Sequence, residues 1–203
     1  MRGIGGRSVQ LEDKRELLLD ASERAFCRLG YARTTMAALA QEAGVTRPTV
    51  YSYFPSKDEV FLALADRVRR EFLALQEQAV SESPVETIRA ALSAYLEAFT
   101  RHRGMITVIG HEALTDPAMG ALLEEIFSRA NRRNTRFVEQ LAADGLVSPV
   151  VAPAVLSEAV TGIAARFAEQ AAADPARRPA LAADFLELYL GMVRFTPGVI
   201  DQR

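Results

Sequence analysis

From Thr46 to Tyr53 the chain reads TRPTVYSY, a run of side chains suited to touching DNA. Arg47 offers a planar fork of N–H donors that matches the two acceptors on the major-groove edge of guanine. Its alternative role is a phosphate contact that reads no sequence. Pro48 and Thr49 can press on a thymine methyl, and Tyr51, Ser52 and Tyr53 carry hydroxyls suited to phosphate, with one of the two tyrosines half-buried. These groups act together only if the first turn of a helix carries them into the groove. Thr46 is a residue type that caps a helix N-terminus, and Pro48 is tolerated in a first turn, where its missing N–H has no intrahelical partner.

The surrounding residues supply that helix and a second one to hold it. In TMAALAQEAGVTRPTVYSYF, Thr35 to Phe54, Ala40 lies within one short helix, Gly44 follows four residues later and Val50 six after that. A small residue at Ala40 lets two helices cross closely. Gly44 can take the left-handed conformation that ends the first, while Leu39, Val45 and Val50 bury between them. The spacing reads as a helix-turn-helix. Upstream, Asp20 to Tyr31 is amphipathic, with Leu18, Ala21, Ala25 and Leu29 on one face and Gly30 as its stop. Downstream, Pro55-Ser56-Lys57-Asp58 starts a further helix.

Taken together, ASERAFCRLGY, ARTTMAALAQEAGV and TRPTVYSYFPSKDEVF resemble the N-terminal domain of the TetR family of bacterial regulators over about residues 12 to 62. The resemblance implies a backbone clamp at Thr35, Tyr53 and Lys57. Lys57 is one of only two lysines, with Lys14, among 24 basic residues. The family often has Gly or Ala in place of Pro48 and His in place of Tyr53, which leaves the operator sequence open.

A net charge of -2 is low for a DNA binder, but the charge is unevenly placed. Residues 1 to 57 carry nine Lys+Arg against six Asp+Glu, whereas residues 58 to 203 carry fifteen against twenty. The basic excess thus falls at the expected DNA end. Arg2 and Arg7 in the Gly-rich leader either touch DNA or belong to a disordered tail. We expect a DNA-binding domain at 1–57, with the helix-turn-helix at about 35–54, and a helical effector-binding and dimerisation domain at 58–203. A hydrophobic content of 49% suffices for a real core, and no apolar run is long enough for a membrane span or signal peptide. A single cysteine, Cys27, excludes an intrachain disulfide and reads as helix packing. A cytoplasmic protein without cofactor is expected.

Beyond the motif the pattern is helical throughout. Ser56 can cap a long helix with Val60, Phe61, Leu64, Val68, Phe72 and Leu75 on its apolar face, ending before Ser83-Pro84. Val85 to Arg101 forms another, ended by Gly104, and Met105 to Ala113 a short one. Asp116-Pro117 opens a long helix that closes at Gly145, and two more span about Ala154–Ala173 and Pro179–Phe195. The fold expected is all-α with about nine helices.

In the last pair, Leu156, Val160, Ile163 and Phe167, and then Leu181, Phe185, Leu188 and Met192, repeat at helical spacing, with Ala159, Gly162 and Ala164 small enough for another helix to approach. Burial within one subunit needs the same stripe; the resemblance implies a homodimer formed by a four-helix bundle, which would serve two half-sites of double-stranded DNA. The resemblance also implies a small-molecule effector. Tyr95, Phe99, Met105, Ile109, Phe127 and Phe167 form an apolar lining, with Asn131, Asn134, His111 and Glu112 as polar anchors; ordinary core is the alternative. Arg129, Arg132, Arg133 and Arg136 form a stripe that reads as a solvated face ion-paired through Glu125 and Glu139, or as an attractor of an acidic effector or partner. No G-x-S-x-G, phosphate-binding GK[ST] loop or zinc-ligand spacing is present, so catalysis is not expected. A ligandless adaptor whose second domain binds protein, or an activator, stands as the alternative to a ligand-released repressor.

Overall fold

The computed structural model describes residues 5–77 and 83–197. Its helices are α1 (Gly5–Leu29), α2 (Met36–Glu42), α3 (Arg47–Tyr53), α4 (Lys57–Glu77), α5 (Pro84–Glu112), α6 (Pro117–Ala143), α7 (Pro153–Ala173) and α8 (Arg178–Val193). Among the described residues there are eight α-helices and one 3-10 turn, Pro175–Arg177, and an all-α fold. Arg2 lies outside them, as do the side chains of Arg7 and Leu75 and the segment 78–82 where the fourth helix was expected to end.

Packing divides the chain into two units, Met1–Val68 with Gly104–Leu122, and Arg69–Arg103 with Leu123–Arg203. This differs from a cut after residue 57, because the first turns of α4 belong to the first core. Val60, Phe61, Leu64, Ala65 and Val68 are all buried there. Phe61 packs edge-on against Phe26 at 5.1 Å and Tyr31 at 4.8 Å between ring centroids. Arg67 of α4 reaches Asp20 and Glu23 of α1, and Arg24 and Arg28 of α1 grip Glu42 of α2.

Gly104 does not end a helix: α5 runs through it to Glu112. Glycine is tolerated within a helix at a modest cost, and here close approach accounts for it. A Cβ at Gly104 would lie 2.5 Å from the Sγ of exposed Cys27, so α1 and α5 meet at a contact that admits one more carbon only if the sulfur turns aside or the helices part. This merges two expected helices into one and lowers the count from nine to eight.

In the second unit Phe72, Tyr95, Phe99 and Phe127 form an aromatic cluster, with Phe99 and Phe127 stacked at 5.0 Å. Buried His102 binds Glu71 Oε2 through Nε2 at 2.8 Å, and Glu71 is held below the usual carboxylate range by His102 and Arg101 against the opposing effect of burial. The loop after α6 is pinned to the end of α8. Ser148 N–H donates to Arg194 O, Thr196 N–H donates to Leu146 O, and Val147 bridges Phe195. Arg194 adopts φ 52° to make this return.

Candidate nucleic-acid interface and ligand cavity

Thr34 and Thr35, adjacent in sequence, divide their roles. Thr34 is buried and donates its hydroxyl to Gly30 O at 2.7 Å, fixing the turn between α1 and α2. Thr35 is exposed and accepts from Ala38 N–H at 3.2 Å as the N-cap of α2. Its hydroxyl hydrogen remains free to donate. α2 then ends as its glycine requires. Gly44 takes φ +65°, with Val45 N–H donating to Ala40 O and Gly44 N–H to Gln41 O, the paired bonds of a Schellman motif. Leu39, Ala40 and Val50 are buried at the crossing, and Val45 is half-buried.

Thr46 occupies the N-cap position of α3, but its side chain makes no capping bond. The reason is Pro48. A capping oxygen serves the N–H of the second or third helical residue. The second is a proline, and the third, Thr49, already donates to Thr46 O at 3.0 Å. Thr46 Oγ1 therefore pairs with Thr49 Oγ1 at 2.9 Å. With Val50 turned inward, Arg47, Pro48, Tyr51 and Ser52 share the exposed side of α3, flanked by half-buried Thr49 and Tyr53. Of the two tyrosines, Tyr51 is the exposed one, at 47%. Ser52 returns its hydroxyl to Thr49 O at 2.7 Å, which leaves its oxygen lone pairs rather than its proton outward.

Lys57 turns partly inward. Its Nζ lies 4.1 Å from the Tyr31 ring centroid and donates to Tyr31 O at 3.1 Å, leaving two of its three N–H donors. Tyr31 in turn donates to Asp58, and burial followed by that carboxylate pushes its phenol up to about 12. Sequence reading placed Lys57 at the domain exit but missed the Tyr31 platform, which depends on a contact 26 residues away. Arg15 likewise lies over the Phe54 ring at 4.9 Å.

The second unit holds a cavity of about 130 Å³ between α5, α6, α7 and α8. Of the expected ligand residues, Tyr95, Asn131 and Asn134 line it. Phe127 lines an adjoining groove, Phe99 lies in the aromatic cluster, and Phe167 packs against Phe185 at 6.0 Å. Met105 and Ile109 are fully buried in the first unit, and His111 of that unit is exposed beside Glu112. These four are not at the cavity, because α5 continues past Gly104 instead of turning back. Ile88, Leu92, Phe137, Ser157 and Tyr189 line it instead. Burial raises the phenol pKa of both Tyr95 and Tyr189, so both stay neutral across physiological pH.

The stripe on α6 is solvated but not ion-paired as expected. Glu125 pairs with Arg69 at 3.3 Å, and among the described residues none of Arg129, Arg132, Arg133 and Arg136 forms an ion pair. The ten expected dimer residues also divide. Leu156, Val160, Leu181 and Phe185 are buried in the chain's own core. Ala159, Gly162 and Leu188 are exposed, and Ile163, Phe167 and Met192 half-buried.

An exposed helix with an arginine in its first turn, braced by a second short helix across a glycine-ended turn, defines a helix-turn-helix DNA-binding protein. Residues 18–64 match the family described as "Bacterial regulatory proteins, tetR family". Over these residues the chain carries a DNA-binding domain of the TetR family of transcriptional regulators. It is 27% identical over 144 residues, 70% of this chain and 73% of the relative, to the uncharacterised HTH-type transcriptional regulator YhgD of Bacillus subtilis. It is 36% identical over 100 residues to EthR of Mycobacterium tuberculosis, spanning 46% of this chain and only 45% of that relative's length. In fold it is similar to SmeT, the repressor of the Stenotrophomonas maltophilia multidrug efflux pump SmeDEF, with TM-score 0.68, 23% identity, and 91% and 92% of the two chains covered. A SmeT-triclosan complex matches with TM-score 0.69 and 22% identity over 92% and 94%. Among the described residues no helix is long and apolar enough to cross a membrane.

Proposed function

We propose that the protein is a ligand-released repressor that binds an inverted-repeat operator as a homodimer. Residues 1–57, within the first unit, supply the DNA contacts, and the second unit supplies effector binding and dimerisation. The observation that carries the reading is the outward face of α3, where Arg47 stands in the first turn with Pro48, Tyr51 and Ser52 beside it and Val50 anchors the opposite side. Arg47 reads a base, while Thr35, Tyr53 and Lys57 hold phosphates.

Dimerisation through α7 and α8 is supported by glycines that the single chain does not explain. Gly162 and Gly191 lie within helices, are exposed, and have nothing within 4 Å of an added Cβ. Each costs about 0.5–1 kcal/mol relative to alanine, and a second copy packed closely on this face gives them a purpose. Val155 and Leu188, 57% and 47% exposed, flank them.

The effector site is the cavity of the second unit. Triclosan bound to SmeT, a protein of similar fold, supports a largely apolar ligand. α5 and α6 line the cavity, and the same two helices supply residues 104–112 and 117–122 of the first unit. A ligand that favours one arrangement of these helices shifts the spacing of the two recognition helices. Selection of bound duplexes from random DNA tests the proposal: an inverted repeat with half-sites about one helical turn or a multiple apart is expected. Recovery of a single asymmetric half-site would overturn the dimeric reading.

A further inference from the structure

We propose that the ligand of the second-unit cavity is a small carboxylic acid, with an apolar body about the size of one aromatic ring inside and its carboxylate at Arg133. This rests on the reading of that unit as an effector domain and names the class of effector. An apolar cavity of about 150 Å³ holds a benzene molecule, and this one measures about 130 Å³. Ile88, Leu92, Phe137 and Val160 give it an apolar wall.

The polar part of the wall has a direction. Tyr189 donates to Asn134 Oδ1 at 2.6 Å, and Asn134 Nδ2 donates to Ser157 Oγ at 3.0 Å. Ser157 donates onward to Pro153 O at 2.9 Å. On the other side Thr161 donates to Asn131 Oδ1 at 2.8 Å, so its single hydrogen is taken and Tyr95 must be the donor in their 3.0 Å bond. Asn131 Nδ2 donates to Glu158 Oε1 at 2.8 Å. Both amide oxygens and every hydroxyl hydrogen of these two chains are thus engaged, and each amide keeps one N–H. The tyrosine oxygens can accept, but the strong unengaged groups are donors.

Arg133 completes this donor set. Among the described lining residues it alone is charged, and no carboxylate faces it from the cavity wall. Four arginines of the second unit are matched by carboxylates: Arg69 by Glu125, Arg89 by Glu86, Arg101 by Glu97 and Arg166 by Glu169. Among the described residues Arg133 and its neighbours on α6 have no such partner, although residues 58 to 203 carry more Asp+Glu than Lys+Arg. An exposed guanidinium at the mouth of an apolar cavity favours a bidentate carboxylate on the ligand. A cationic ligand meets repulsion at the same place.

Calorimetry with phenylacetate and hexanoate, each against its neutral amide, tests this on the full-length protein. The acids are expected to bind about ten- to hundredfold more tightly than the amides. Arg133→Gln removes that preference with the amide affinities unchanged, and Arg133→Lys restores part of it. Ala91→Leu, which narrows the cavity, weakens acids and amides together. Equal binding of acids and amides, unmoved by Arg133→Gln, would overturn the carboxylate assignment and leave the cavity as an effector site. Binding by neither pair overturns it as well. A neutral compound that still shifts operator affinity and loses this effect in Ala91→Leu then preserves the effector reading, whereas no compound acting through the cavity removes both.

Discussion

Replacing Gly104 by alanine should destabilise the protein only while Cys27 keeps its sulfur. The new Cβ would lie 2.5 Å from Cys27 Sγ and 3.3 Å from Cys27 Cβ, against about 3.5–4.0 Å for favourable carbon contacts. Relief requires the sulfur to rotate or α1 and α5 to part, at about 1–3 kcal/mol for an overpacked contact. Alanine within the helix gains about 0.5–1 kcal/mol by itself. The net loss for Gly104→Ala is therefore roughly 0–2.5 kcal/mol. In a Cys27→Ala background the sulfur is gone and the remaining 3.3 Å contact is only tight, so the same substitution should stabilise by up to about 1 kcal/mol. Urea unfolding of the four proteins of the cycle, at one protein concentration so that association cancels, gives the coupling energy. An effect of Gly104→Ala with the same sign and size in both backgrounds would refute close approach as the reason for the glycine.

Other outcomes follow from single side chains. Tyr31 is raised from 10.0 to about 12 in the folded protein, so its contribution is present below pH 10 and is lost as pH rises towards 12. Tyr31→Phe should flatten that part of the alkaline unfolding curve, leaving the parts due to Tyr95 and Tyr189. Glu42 is lowered by its bonds to Arg28 and Arg24, so its stabilisation holds above the ordinary glutamate range and fades as pH falls. Thermal melts of wild type and Glu42→Gln should converge in acid and separate at neutral pH. Gly162→Leu has free space within its own chain, so it should leave the subunit folded and shift light scattering towards monomer. A wild type that is itself monomeric at micromolar concentration would contradict the dimer.

The helix-turn-helix was legible because its constraints are local. Gly44 needs a positive φ, Ala40 a close crossing and Val50 an inward position, and all three act within eleven residues. Gly104 was misread because a helix-ending glycine and a close-packing glycine look alike in sequence. Only Cys27, 77 positions away, distinguishes them. That misreading carried Met105 and Ile109 into the expected cavity. The stripes of α7 and α8 were visible, but periodicity does not divide a face between a chain's own core and a partner. Burial assigns Leu156, Val160, Leu181 and Phe185 to the core. Thr46 shows a smaller limit, since its position was right while Pro48 removed the bond it was expected to make.

Whether α3 reads DNA sequence is decided most directly by Arg47→Ala, measured against the selected operator and against random duplex at one salt concentration. Arg47 is exposed in the first turn and none of the described residues pairs with it, so its loss should leave the fold intact. A bidentate contact to guanine is worth about 1–3 kcal/mol of discrimination, so operator affinity should fall about five- to 150-fold further than random-duplex affinity. Lys57→Ala should weaken both duplexes alike and lower the salt slope by about one. Equal loss on both duplexes for Arg47→Ala would make Arg47 a phosphate contact and contradict its assignment as the base reader.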